Sequence, residues 1–434
     1  MRREKVLSAV ALRAMALSAM ALISAGCATQ HPSAPAPVVV MKGVGLSAGG
    51  PDFDRYTDNR GEIARADRTN WWGQRYSVDS FSRLDEILAA RVTARPASPR
   101  AWQYADPPIE VSYDGAPATG PGRFSIDGYL ARNPVTGLLI AQGDTILLER
   151  YQYGRTDSQR MTSFSMAKTL IALMIGIALD QGKIKSIDDT AQVYVPSLQG
   201  SAYGATPIRH LLTMSSGVKF REEYDGRDDS ARLSQATIGG GPGGAATARL
   251  FDERIAQPGA RWSYASGETF VLALVLREAI GQPIADYFAQ TIWQPIGAEA
   301  NASWLIDRTG LEIGYMGFNA VVRDYARLAM MLARGGKAGD RQVIPATWLR
   351  EMSTAQFSGG QTGRWFGYGY QTWIFPDNDG SFALLGVRGQ SIFVDPKREL
   401  VMVNTAVRQS ARDAGGADTT ALWRSIRRSV AIKP

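Results

Sequence analysis

Thr162-Ser163-Phe164-Ser165-Met166-Ala167-Lys168 runs directly into Thr169-Leu170-Ile171-Ala172-Leu173-Met174-Ile175-Gly176-Ile177-Ala178, and the reading of this stretch decides the fold. It predicts a helix from about Ser165 to Asp180 that is apolar all round, hence central and buried. The run is too short for a membrane span, which needs roughly 20 residues. Residues three apart share a helix face, so the Ser165 hydroxyl and the Lys168 amine point the same way. Apolar surroundings disfavour the ammonium form of Lys168 and bring its pKa toward that of a working base. The helix dipole favours negative charge developing at Ser165. A serine nucleophile with a lysine base is the chemistry this pattern carries.

The residue inventory narrows the alternatives. Only His31 and His210 are present, and the single cysteine is Cys27. A histidine-based triad would have to use His210, which sits in Ile208-Arg209-His210-Leu211-Leu212 beside apolar residues and reads as structural. One cysteine excludes an intrachain disulfide, a redox pair and a multi-thiolate metal site, and no cofactor is implied. Of the formal net charge of +7, Arg2, Arg3, Lys5 and Arg13 against Glu4 contribute +3, leaving +4 interspersed over the rest. That pattern is a solvated surface and argues against a nucleic-acid footprint.

The spacing S-x-x-K occurs a second time, in Ser216-Gly217-Val218-Lys219. There Gly217 follows in a turn-like setting and Lys219 leads into charged Arg221-Glu222-Glu223, so that lysine is expected in solvent. Ser165 is therefore the expected nucleophile. A proton must also reach the leaving atom, and a tyrosine serves this in lysine-based hydrolases. Tyr264 in Tyr264-Ala265-Ser266-Gly267 is the tyrosine followed two residues later by Ser or Asn, in a loop after Pro258-Gly259 and before an apolar helix. Further on, Leu385-Gly386-Val387-Arg388-Gly389-Gln390 reads as a glycine-flanked strand whose bare backbone admits a substrate. An amide there and the amide of Ser165 would form an oxyanion hole.

Outward from these motifs, Leu138-Leu139-Ile140-Ala141 and Ile146-Leu147-Leu148 bracket the turn Gly143-Asp144. Phe382–Leu385, Ser391–Val394 and Leu400–Val403 read as C-terminal strands, followed by a helix from about Ala417 to Ile432. Strands at both ends with helices between them imply an α+β domain whose sheet is assembled from distant parts of the chain. The expected organisation is a leader over residues 1–27, a Pro/Ala/Gly/Ser-rich tether over 28–51, an N-terminal extension over 52–108 carrying Trp71-Trp72, and the hydrolase domain over 109–434.

Charged residues, then an apolar stretch from Ala14 to Ile23, then Ser24-Ala25-Gly26 before Cys27 fit a secretory leader. The segment resembles a bacterial lipoprotein signal, although Ser24 stands where leucine is usual. That resemblance implies lipidation at Cys27 and a periplasmic, membrane-anchored protein.

S-x-x-K, Y-x-[NS] and a glycine strand motif, in that order, resemble the serine β-lactamase and penicillin-binding superfamily, whose class C members include β-lactamases, DD-peptidases and esterases. The branch of 6-aminohexanoate-dimer hydrolases is the nearer resemblance, through Thr162–Lys168, Ile208–Gly217 and Gly386-Val387-Arg388-Gly389-Gln390. It implies a β-lactamase/transpeptidase-like fold, an antiparallel sheet flanked by helices plus a mostly helical region. It implies a small amide or ester as substrate, with Tyr224 contacting it from a loop and Trp373 forming an aromatic wall. Ser266, Val387 and Gln390 of the second and third motifs are expected against it too. Many β-lactamases and DD-peptidases have K-T-G in the third motif and Asn in the second, where this chain has Gly386-Val387-Arg388-Gly389 and Ser266. A β-lactamase or DD-peptidase is thus the alternative within enzymes, and a catalytically silent binding protein on the same fold is the alternative outside them. Retention of Ser165, Lys168 and Tyr264 favours an enzyme.

Overall fold

Leu138 and Ile140 face one side of the central sheet and Leu139 and Ala141 the other, and all four are buried. A strand covered on both faces reads as a continuous apolar run, which is how this segment appears in the sequence. The structure, a computed structural model, describes residues 39–41 and 43–432. The leader, Cys27 and the first part of the tether lie outside the described residues.

The main sheet has ten strands: β1 (Val39–Met41), β2 (Val44–Leu46), β3 (Gln103–Tyr104), β4 (Val135–Gln142), β5 (Thr145–Tyr151), β6 (Gly367–Tyr368), β7 (Trp373–Ile374), β8 (Phe382–Gly386), β9 (Gln390–Asp395) and β10 (Leu400–Ala406). Their order is β1-β2-β5-β4-β10-β9-β8-β7-β6, with β3 also on β5. Strands β2 and β3 run parallel to β5. The other neighbours are antiparallel.

Four helices frame the site and the sheet: α1 (Met166–Asp180), α2 (Ser266–Ile280), α3 (Val322–Ala333) and α4 (Gly415–Ser429). Helix α1 is buried from Met166 through Ala178, as its all-apolar sequence requires, and packs on α2. Its Gly176 lies where a Cβ would meet the Trp348 ring at 2.2 Å, so the glycine lets that indole seat on the helix. Helix α3 covers one face of the sheet against β4, β9 and β10. Helix α4 covers the other face through Leu422, Trp423 and Ile426, which cluster with Leu138, Ile140, Phe393 and Met402.

A second sheet joins Ala90–Thr93, Ala302–Leu305, Phe318–Ala320 and Met161–Thr162, all antiparallel. It delivers the chain directly to Ser163. One expected boundary is corrected here. The tether does not run to Pro51, because Val44–Leu46 already pairs with Glu149–Tyr151 of β5 and satisfies that edge. Residues 52–108 contribute a strand to each of the two sheets, Ala90–Thr93 and Gln103–Tyr104.

Candidate active site

Ser165 sits at the start of α1, immediately after a strained residue. Phe164 holds φ at 42°, a left-handed conformation that costs a non-glycine residue about 1–2 kcal/mol. Its ring is gripped edge-on by Phe81, with centroids 4.8 Å apart, and by Trp72 at 5.7 Å. From the other side comes Gly386, where a Cβ would stand 2.5 Å from the Ser163 carbonyl. The glycine expected to admit substrate thus first admits the backbone that leads into Ser165. The third motif is also not a continuous strand. β8 ends at Gly386, and Val387–Gly389 is a tight turn with Arg388 at φ 60° before β9 begins.

Lys168 is 2% exposed, and its Nζ donates to Ser165 Oγ at 3.0 Å, Ser266 Oγ at 2.9 Å and the Tyr315 carbonyl at 2.8 Å. Burial lowers its pKa to about 8, against the opposing pull of the Glu222 carboxylate. Glu222, itself buried, accepts from the Ser266 amide at 2.6 Å, from Ser266 Oγ at 2.8 Å and from the Tyr224 hydroxyl at 2.7 Å. Ser266 therefore links the amine to an acid. Nothing in Glu222-Glu223-Tyr224 distinguishes the inward glutamate from the outward one: Glu223 is exposed and Glu222 is not.

Tyr264 stacks on Trp373 with centroids 5.5 Å apart and meets Tyr368 and Trp262 at 6.2 Å each. The Lys168 Nζ is 5.2 Å from its ring centre. Burial, reinforced by the charge of Glu222, raises the Tyr264 pKa, with a hydrogen bond to Ser165 opposing. At neutral pH it is a phenol with a proton to give.

Two cavities meet at Ser165, Tyr224 and Val387. The larger, about 740 Å³, is lined by Tyr264, Trp373 and Gly386. The smaller, about 340 Å³, is lined by Glu222, Ser266, Tyr315 and the Trp71-Trp72 pair. Tyr224 lines both cavities and Trp373 the larger, and the Tyr224 hydroxyl is occupied by Glu222. Gln390 also lines the larger cavity, but it is 2% exposed and its amide is spent on backbone, donating to the Ala406 carbonyl at 2.6 Å and accepting from the Ala406 amide at 3.2 Å. Arg388 lines neither cavity, donating instead to the Trp72 carbonyl at 3.0 Å and the Arg408 carbonyl at 2.9 Å. These two side chains hold the turn, and from the third motif Gly386, Val387, Gly389 and Gln390 line the larger cavity.

The second S-x-x-K is dispersed. Ser216 is fully buried and gives its hydroxyl to Glu268 at 2.6 Å, while exposed Lys219 pairs with Glu253 at 2.8 Å. His210 lies outside both cavities, beside Ser215 Oγ at 3.4 Å, and burial lowers its pKa. Among the described residues no group of three His, Cys, Asp or Glu is placed to hold a metal ion, and no helix is long and apolar enough to cross a membrane.

A serine at a helix start, a buried lysine bonded to it and a phenol facing both, on a sheet flanked by helices, define the class of serine hydrolases that cleave amides and esters. Residues 126–423 match the Beta-lactamase family, and the chain belongs to it. It is 24% identical over 375 residues to the 6-aminohexanoate-dimer hydrolase of Paenarthrobacter ureafaciens, covering 83% of this chain and 88% of that one. Its fold is similar to that of a Bacillus anthracis chain provisionally named a 6-aminohexanoate-dimer hydrolase, with a TM-score of 0.76, 22% identity, and coverage of 84% of this chain and 96% of that one. A penicillin-binding protein homologue from Caulobacter crescentus has a TM-score of 0.55 at 14% identity, covering 69% and 94%.

Proposed function

We propose that the protein hydrolyses amide or ester bonds through an acyl-enzyme on Ser165, with an activity resembling that of the 6-aminohexanoate-dimer hydrolase to which it is similar. The observation that carries this reading is the buried Lys168 amine, 3.0 Å from Ser165 Oγ, with its pKa brought down to about 8. About one molecule in ten then holds the neutral amine at pH 7.

Neutral Lys168 takes the Ser165 proton as Oγ bonds to the substrate carbonyl carbon, and the carbonyl oxygen becomes an oxyanion held by the amides of Ser165 and Val387. The carbonyl then reforms as the bond to the leaving nitrogen or oxygen breaks. Tyr264 gives that atom its proton and is reprotonated from the Lys168 ammonium. Water attacks the ester by the reverse route, which frees the acid and restores the Ser165 hydroxyl. Ser266 and Glu222 hold the amine in place.

Localisation belongs to the same reading: export, and a lipid anchor on Cys27 that leaves the enzyme in the periplasm at a membrane. Labelling with a fluorophosphonate tests the chemistry. Modification is expected at Ser165 and absent in Ser165→Ala, and modification at Ser216 instead refutes the mechanism. Fractionation of Cys27→Ala tests the anchor. The variant should be extracted without detergent, and a detergent-independent wild type rules the anchor out.

A further inference from the structure

Arg388 is a buried cation, 5% exposed, in the turn between β8 and β9. All three of its nitrogens are engaged, and none of the acceptors is a carboxylate. Nε donates to the Arg408 carbonyl at 2.9 Å and Nη1 to the Trp72 carbonyl at 3.0 Å, while Nη2 donates to Gln74 Oε1 and to the Gln409 carbonyl at 3.3 Å. The guanidinium carbon also lies 5.1 Å from the Trp72 ring centre and 5.3 Å from that of Phe81. Burial lowers the Arg388 pKa to about 10, which leaves it charged at neutral pH. Taking a guanidinium out of water with no acid beside it is costly, and space-filling alone would be met by an apolar side chain. What the planar fork adds is reach in several fixed directions at once, which a lysine has neither the donors nor the geometry to copy.

Under the mechanism proposed above, on which this inference rests, the oxyanion meets the amides of Ser165 and Val387. Each of these residues adjoins a strained one. Val387 immediately precedes Arg388, whose backbone is left-handed at φ 60° and whose carbonyl accepts from the Arg408 amide at 3.1 Å, so that Arg408 ties down both the backbone and the side chain of Arg388. Ser165 immediately follows Phe164, left-handed at φ 42°. The rings that hold Phe164 are Trp72 and Phe81, the same two that lie against the Arg388 guanidinium. Neither left-handed residue is a glycine, so each conformation persists only because its surroundings impose it. Both sets of surroundings run through one side chain. We propose that Arg388 is a positioning residue that sets the spacing of the Ser165 and Val387 amides, and with it the capacity of the site to hold an oxyanion.

The test compares 4-nitrophenyl butyrate with its thiono analogue, in which sulfur replaces the carbonyl oxygen. Sulfur accepts amide hydrogen bonds weakly, so the oxo-to-thiono ratio of kcat/KM reads the oxyanion hole. Arg388→Met should lower kcat on the oxygen ester by about a hundredfold with KM within about threefold, and should shrink the ratio by about tenfold or more. Arg388→Lys, which keeps the charge and loses the fork, should forfeit most of the same ratio. Gln74→Ala removes one arm of the brace and should shift the ratio the same way by less; this milder variant decides the matter if neither Arg388 variant folds. Ser216→Ala, a destabilised control away from the site, should keep the wild-type ratio. A folded Arg388 variant whose loss falls equally on both esters overturns the role of Arg388, and so does a wild type that does not favour the oxygen ester. If Ser165→Ala hydrolyses the oxygen ester as fast as wild type, the acyl-enzyme mechanism itself is what fails.

Discussion

Ser165–Lys168 and Ser216–Lys219 have the same spacing and opposite surroundings. In the first pair the lysine lies inside an apolar helix and its amine finds only neutral acceptors in direct contact, so it loses its proton easily. In the second the serine is the buried member and its partner is an acid, Glu268, while the lysine reaches solvent and Glu253. Spacing brings two groups to one face of a helix. The helix must also exist, and Gly217 at φ 75° prevents it at the second copy.

The largest effect that tests the comparison is loss of the first pair. Ser165→Ala should cost at least about a thousandfold in kcat on a nitrophenyl ester. Lys168→Ala should come close to it, and Lys168→Arg should not rescue, because guanidinium stays protonated. A folded Ser216→Ala variant with a comparable loss would reverse the assignment.

The next effect is on pH dependence. With Lys168 at about 8, kcat/KM should rise nearly tenfold per pH unit below that value and level off above it. His210→Gln should show the same limb, and its disappearance there would move the base to the histidine. Glu222→Gln sharpens the point. The Glu222 charge holds the Lys168 pKa up, so neutralising it should shift the limb to lower pH, a displacement that loss of packing alone would not produce.

The smallest effects concern the second pair. Ser216→Ala should change kcat by less than about threefold yet destabilise the fold by about 1–3 kcal/mol, because Glu268 loses a buried donor. Burial raises Glu268 to about 8 and the Ser216 hydrogen bonds lower it. Those bonds favour the carboxylate, so the deficit should grow as pH passes above 8. Lys219→Ala, at a fully exposed pair, should leave both the melting temperature and kcat unchanged within error.

Much of this site was legible because its residues are local to one helix or one loop. The all-apolar run after Ser165 placed Lys168 in the core, and the loop before α2 placed Tyr264 and Ser266 beside it. Long-range packing was not legible. Gln390 sits in the expected motif, yet its amide belongs to Ala406, a contact fixed only by the pairing of β9 with β10. Glu222 gave no local signal, since its role comes from Ser266, 44 residues away. The tether boundary failed for the same reason: Val44-Gly45-Leu46 is too short to announce a strand, and its pairing with β5 and with Val39–Met41 makes it one.

The grip on Phe164 has a consequence for how the protein comes into being. Trp72 and Phe81 hold it from one side and Gly386 presses the adjoining backbone from the other, so the posture of Ser165 depends on segments that lie far before and far after it in the chain. A ribosome-bound chain that has emerged only as far as α2 already carries Ser165, Lys168 and Tyr264, but lacks the turn that seats them. Under the proposed mechanism, the geometry at Ser165 is then complete only once that turn has been made.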